Sequence, residues 1–147
     1  MEFSSSTIRE NIKNGNFELV NQALGRNWEM SGKVVIGDRR ASKINFPTAN
    51  IVPGRHILPL KGVYNVYANI EGKQYKAIAN FGDRPTVDGS KLLLETHILD
   101  FNKDIYGKEL TVEFLTFIRN EKKFDNFNDL TKQIKKDINT AKNYHKI

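Results

Sequence analysis

Cysteine is missing from this sequence altogether. Its absence excludes disulfides, thiolate metal sites and a cysteine nucleophile, and it fits a reducing compartment, so a cytoplasmic location is expected. No apolar run approaches the roughly 20 residues of a membrane-spanning helix, and the first residues are polar, without the h-region of a signal peptide. No membrane association is expected. Histidine is scarce: His56, His97 and His145 lie far apart, with no HExxH spacing and no GxSxG partner for a hydrolytic triad. There is no GxxxxGK[ST] phosphate loop and no protein-kinase motif set. Internal repeats and low-complexity tracts are absent as well.

What is present is ordinary for one globular domain: 147 residues, 39% hydrophobic and 27% charged. A chain of this length buries around two-thirds of its unfolded surface. The net charge of +6 points to a polyanionic partner, a nucleotide or a nucleic acid, or simply to lysines that keep the surface soluble.

Residues 1–27 read as a short helical lead-in. Thr7 and Glu10 have capping-box spacing, and Gly15 ends that helix. Asn16 can cap a second one with Phe17, Val20 and Leu24 on its apolar face, closed by Gly25. From Glu29 to Ile118 the hydrophobic period changes to two. Tyr64, Val66, Ala68 and Ile70 alternate with polar residues, Glu71-Gly72 turns the chain, and Tyr75, Ala77, Ala79 and Phe81 alternate on the return. A loop is expected over residues 82–90, a strand over 91–99, a second loop over 100–107, and a last strand through Leu110, Val112, Phe114, Thr116 and Ile118. Strands at this spacing argue an antiparallel barrel or sandwich, and aromatics on both faces favour a closed barrel with an outer covering. A C-terminal helix follows, capped by Asn126 or Asn128, with Leu130, Ile134, Ile138 and Ala141 as its apolar stripe. Lys132, Lys135, Lys136 and Lys142 form its solvated side.

Two stretches carry candidate chemistry. The first runs from Gly37 to Ile51. Arg39, Arg40 and Lys43 supply positive charge in a segment without apolar periodicity, so Gly37 and Lys43 are candidates for phosphate contact, with backbone N–H groups pointing inward. Pro47 stiffens the chain, and Thr48 and Asn50, two residues apart in an extended backbone, aim two neutral oxygens at one point. Such oxygens suit Mg²⁺ that takes its remaining ligands from water and substrate phosphates. They suit equally a turn whose polar side chains satisfy local backbone. The second stretch is the strand LLLETHIL at residues 92–99. Glu95 and His97 share a face with Leu93; Leu94, Thr96 and Ile98 share the other. Turned into a barrel mouth, Glu95 would be desolvated and prepared to accept a proton. Turned outward, it would be an unremarkable solvated side chain.

Taken together, the residues FPTANI (46–51), GVY (62–64), NFGDRPT (80–86), LLLETHILDF (92–101), DIYGK (104–108) and FIRNEKKFDNFNDL (117–130) resemble the riboflavin kinases. The likeness covers residues 28 to about 143. It implies an all-β fold, a six-stranded antiparallel Greek-key barrel with a C-terminal helix, over residues 28–147. It implies transfer of the ATP γ-phosphoryl group, with Mg²⁺, to the 5′-hydroxyl of riboflavin, giving FMN and ADP. Thr48 and Asn50 match the family's metal and phosphate ligands, Glu95 its catalytic base, and Arg119 with the loop through Phe124 the segment that closes over the flavin. FSSSTIRENIKNG (residues 3–15) resembles the end of the adenylyltransferase module of bifunctional bacterial FAD synthetases. The expectation is therefore a kinase module carrying a remnant of that neighbour, excised or left by a shortened gene, without FMN adenylylation.

The competing expectation is a non-catalytic flavin- or RNA-binding barrel, which the basic charge favours. RNA is the weaker half, because Tyr64, Phe81 and Phe114 occupy apolar strand faces and read as core rather than as a stacking platform. Ala41 and Asn45 stand where the family usually has glycine, and alanine tolerates positive φ poorly. Activity with weakened nucleotide binding is the expected result. Ala41→Gly should then lower the KM for ATP in a steady-state assay; an unchanged KM means that this position does not limit nucleotide binding.

Overall fold

The computed structural model describes residues 4–35, 47–54 and 57–147. Gly37, Ala41, Lys43, Asn45, Phe46 and His56 fall outside the described residues. Six strands, β1 (Glu29–Lys33), β2 (Ala49–Ile51), β3 (Gly62–Ile70), β4 (Lys73–Thr86), β5 (Gly89–Ile98) and β6 (Glu109–Asn120), form one antiparallel sheet in the order β1-β6-β3-β4-β5-β2. The inner order β6-β3-β4-β5 is a Greek key. The two edges almost meet: the Val35 amide donates to the Asn50 carbonyl at 2.8 Å, making an antiparallel bridge. The expected barrel is present and nearly closed.

Alternation decides what fills it. Tyr64, Val66, Ala68, Ala77, Ala79, Phe81, Leu94, Leu110, Val112 and Phe114 point inward and form the main core. The intervening side chains point outward; Val63 on β3 and Ile78 on β4, with Leu99 just after β5, pack against Ile138 and Ala141 of a helix. That helix, α3 (Phe127–His145), is capped by Asn126, whose side-chain oxygen accepts from the Asp129 amide. It lies across the outside of the barrel wall, so part of the outer face is buried too.

The N-terminal residues plug the barrel. Helices α1 (Ser5–Lys13) and α2 (Phe17–Leu24) place Ile12, Phe17 and Val20 in the main core. The Phe17 ring stands 5.5 Å from Tyr64 and 5.0 Å from Phe114. The Tyr64 hydroxyl donates to the Leu60 carbonyl at 2.5 Å, and burial pushes its pKa up. The cap of α1 is Ser4, which accepts from the Thr7 amide, because the serine run offers a hydroxyl one turn ahead of Thr7. Asn16 stands at the start of α2, yet its side chain donates to Asn11 rather than to the helix. The loop expected over residues 82–90 is instead paired strand: β4 runs to Thr86 and meets β5 again at Gly89. β3 stops pairing at Phe81, so residues 82–86 have a partner on one side only, where Pro85 is tolerated.

Gly62 begins β3 where two backbones nearly touch. With φ at 156°, a Cβ there would run into the Arg119 carbonyl and the Phe117 ring. Gly62→Ala should cost about 2 kcal/mol or more, read as a lower denaturant midpoint at unchanged m-value. His145, buried at the end of α3, bonds through Nε2 to the Ala77 carbonyl at 3.1 Å. Burial lowers its pKa, the bond to Ala77 opposing that shift, so the unfolded chain binds the proton more readily than the folded one. Stability from this residue is therefore complete above its unfolded pKa of about 6.5 and is lost as pH falls below it. The denaturant midpoint should decline between about pH 7 and 5, and His145→Gln should flatten that decline.

Candidate active site

Strand register assembles the site. Asn50 on β2 pairs with Glu95 on β5, Glu95 with Asn80 on β4, Asn80 with Val63 on β3, and Val63 with Arg119 on β6. Directly paired residues in antiparallel strands share a face. These five positions therefore form one row across the outer wall of the barrel. A cavity of about 560 Å³ lies over the row, between the wall, α3 and the segment after β6. Thr48, Asn80, Arg84, Glu95, Arg119 and Phe124 line it, with apolar contributions from Ile134 and Ile138 of α3.

Glu95 departs from both orientations considered for it. Its face points away from the barrel interior, which Leu94 and Ile98 fill, yet it is only 8% exposed. The α3 cover explains this: outward and buried are compatible on a wall with a helix over it. One charge partner is Arg84, whose Nε donates to Glu95 Oε1. Arg84 Nη1 also donates to Glu121 Oε1 at 3.0 Å. Burial alone would lower the Arg84 pKa, but the two carboxylates outweigh it and hold the pKa above its ordinary value.

Arg119 is held from α3. Its Nε donates to Asp137 Oδ1 at 3.0 Å and its Nη2 to Asp137 Oδ2 at 2.7 Å, while Gln133 Nε2 donates to Oδ1 at 2.9 Å. This bidentate pair fixes the β6 end of the row to the helix. At the other end, His97 Nδ1 donates to the Pro47 carbonyl at 2.9 Å, which ties the chain just before Thr48 to β5. Burial lowers the His97 pKa, so near pH 7 the ring is neutral.

Thr48 and Asn50 lie together as the spacing requires. Thr48 Oγ1 donates to Asn50 Oδ1 at 3.3 Å, and Asn50 is 5% exposed. Adjacent oxygens of an octahedral Mg²⁺, each about 2.1 Å from the ion, lie about 3 Å apart, so this pair fits two neighbouring ligand positions. Among the described residues no group of three or more His, Asp or Glu could hold a metal alone. Pro47, Thr48, Asn50, Glu95, Arg119 and Phe124 are thus gathered around one cavity or its border; the placement of Gly37 and Lys43 lies outside the described residues. Tyr64, Phe81 and Phe114 are fully buried inside the barrel and offer no stacking surface for RNA. Sequence reasoning gave no role to Arg84, Glu121, Asp137 or Asn80. The available signal was the need of any buried charge for a partner.

Residues 24–145 match the family model described as flavokinase, riboflavin kinase. A bifunctional riboflavin kinase/FMN adenylyltransferase of Haemophilus influenzae is 44% identical over 140 residues, covering 95% of this chain and 46% of the relative. The Bacillus subtilis enzyme of the same description is 38% identical over 97% of this chain and 46% of its own length. The chain spans about half the length of the curated relatives it matches. A solved Streptococcus pneumoniae structure, described as a macrolide-efflux protein, superposes with a TM-score of 0.87 at 39% identity, over 95% of this chain and 46% of that one. The riboflavin kinase of Trypanosoma brucei shares the fold, with a TM-score of 0.55 at 24% identity over 79% of this chain and 78% of that one. The chain belongs to the riboflavin kinase (flavokinase) family, enzymes of ATP-dependent riboflavin phosphorylation to FMN.

Proposed function

We propose that the cavity under α3 is where this chain moves the γ-phosphoryl group of ATP onto the riboflavin 5′-hydroxyl, with Glu95 as the base. The single observation that carries the reading is the row Glu95, Asn80, Val63, Arg119 lining one cavity under α3, with Asn50 paired to Glu95 at its end. The flavin lies toward Arg119 and Phe124, so its ribityl tail runs along the row to Glu95. The phosphates lie toward Pro47, Thr48 and Asn50, with Gly37 and Lys43 as further phosphate contacts. Family chemistry uses ATP with a divalent metal; we take the metal to be Mg²⁺, held by Thr48 and Asn50 with the ATP phosphates. When bound, the ion neutralises charge that develops on the phosphate oxygens.

Phosphoryl transfer asks the protein mainly for positioning and electrostatic stabilisation. Glu95 accepts a hydrogen bond from the 5′-hydroxyl and takes its proton as the new O5′–P bond forms. The bond from the γ-phosphorus to the β-γ bridging oxygen breaks, and ADP leaves with that electron pair. Arg84, whose Nε donates to Glu95 Oε1, holds the carboxylate in place for that transfer. The cover formed by α3 and the residues after β6 keeps water from competing as the phosphoryl acceptor.

Residues 1–27 we read as a helical lead-in similar to the end of an adenylyltransferase module, and residues 28–147 as the kinase domain. The relatives' bifunctional description supports that neighbour as the partner in a parent protein. We also read the protein as cytoplasmic, a location that its lack of cysteine fits. With riboflavin, ATP and Mg²⁺, FMN should accumulate, as followed by chromatography. Glu95→Gln should cut turnover about 10²- to 10⁴-fold while leaving riboflavin binding, measured by flavin fluorescence, nearly intact. Normal turnover in that variant would remove Glu95 from the role of base.

A further inference from the structure

Arg84 stands on the same face of β4 as Gly82 and Asn80, and its side chain reaches back along the hairpin toward Glu95, the register partner of Asn80. It is 12% exposed and makes three polar contacts: Glu95 Oε1, Glu121 Oε1 and, through Nη1 at 2.7 Å, the Asp83 carbonyl. The last fixes the guanidinium plane against its own strand. The first two join a carboxylate on β5 to one just beyond the end of β6. Gly82 makes the second contact possible: a Cβ there would fall on the Glu121 carboxylate, so the missing side chain is the space Glu121 occupies. Glu121 opens the segment that continues through Lys122 and Lys123 to Phe124, all bordering the cavity.

We propose that Arg84 is a positioning residue for phosphoryl transfer, fixing the Glu95 carboxylate and tying it to the segment 121–124 that covers the flavin. The proposal rests on the reading of Glu95 as the base. Two carboxylates in one desolvated cavity repel, and a planar guanidinium between them can bond both at once through separate N–H groups. Lysine, a point charge, can satisfy one or the other but cannot hold a fixed angle between them. Through this fork, the setting of the 121–124 segment reaches the orientation of Glu95. Segment closure over the flavin and alignment of the base then become one event, which couples substrate capture to chemistry.

A double-mutant cycle on kcat tests this, because a merely structural arginine would act the same with or without its catalytic partner. In the otherwise unaltered chain, Arg84→Gln should lower kcat about 10- to 100-fold and change the riboflavin Kd less than about threefold. In the Glu95→Gln background the same change should move kcat less than about threefold. Equal losses in both backgrounds would overturn the proposal. Arg84→Lys, which keeps the charge and guards against misfolding, should retain the melting temperature and restore only part of kcat; full restoration would overturn the need for the fork. Gly82→Ala displaces Glu121 and leaves the Arg84–Glu95 pair in place, so kcat should fall and the riboflavin KM should rise. Wild-type values for Gly82→Ala would sink the link to the covering segment. A Glu95→Gln chain with full kcat would fail earlier, at the base assignment itself.

Discussion

Ionised side chains taken out of water cost several kcal/mol each unless a partner meets them. Among the described residues, two such pairs lie between the barrel wall and α3: Arg84 with Glu95, and Arg119 with Asp137. Much of the site follows from that constraint. Glu95 can be buried because β4 delivers a guanidinium to it, and Arg119 is held because α3 presents Asp137 at the right turn. Pairing therefore does more than offset desolvation. It sets the angle of each functional group, and it uses four different elements, β4, β5, β6 and α3, to do so.

The barrel is what makes the row possible. Its interior is filled by Tyr64, Phe81 and Phe114 and plugged by Phe17. Alternation then sends every second side chain outward, and the hydrogen-bonded register lines up residues far apart in sequence. Residues 50, 95, 80, 63 and 119 become neighbours through strand pairing alone. The helix α3 converts this stretch of outer wall into a second interior, small and polar at one end, apolar where Ile134 and Ile138 descend. His97 adds a last tie, drawing Pro47 and so Thr48 against β5.

Much of this was legible from the residues. The period of two gave the strands, Glu71-Gly72 gave a turn in which both residues have positive φ, and the stripe through Ile138 gave α3. Thr48 with Asn50, and Glu95 on a face opposite Leu94, were visible from parity. Depth was not. A single strand cannot say whether its outward face is covered, because the cover comes from a helix more than thirty residues further along. For the same reason Arg84 passed as part of a motif: its partners Glu95 and Glu121 come from β5 and from the residue just after β6. Residues 82–90 read as a loop because the sequence does not show that β4 outruns β3. Thr7 looked like a cap because its spacing to Glu10 is good, whereas the helix starts one turn earlier at Ser4.

The central claim is spatial, that substrates meet on the outer wall beneath α3. Crystals of this chain grown with FMN and Mg·ADP would test it most directly. The account predicts the flavin beside Arg119 and Phe124, its phosphate-bearing tail carbon next to Glu95, and the ADP phosphates at Thr48 and Asn50. A flavin bound anywhere other than the cavity under α3, with Glu95 still closed against Arg84 and touching no ligand, would contradict it.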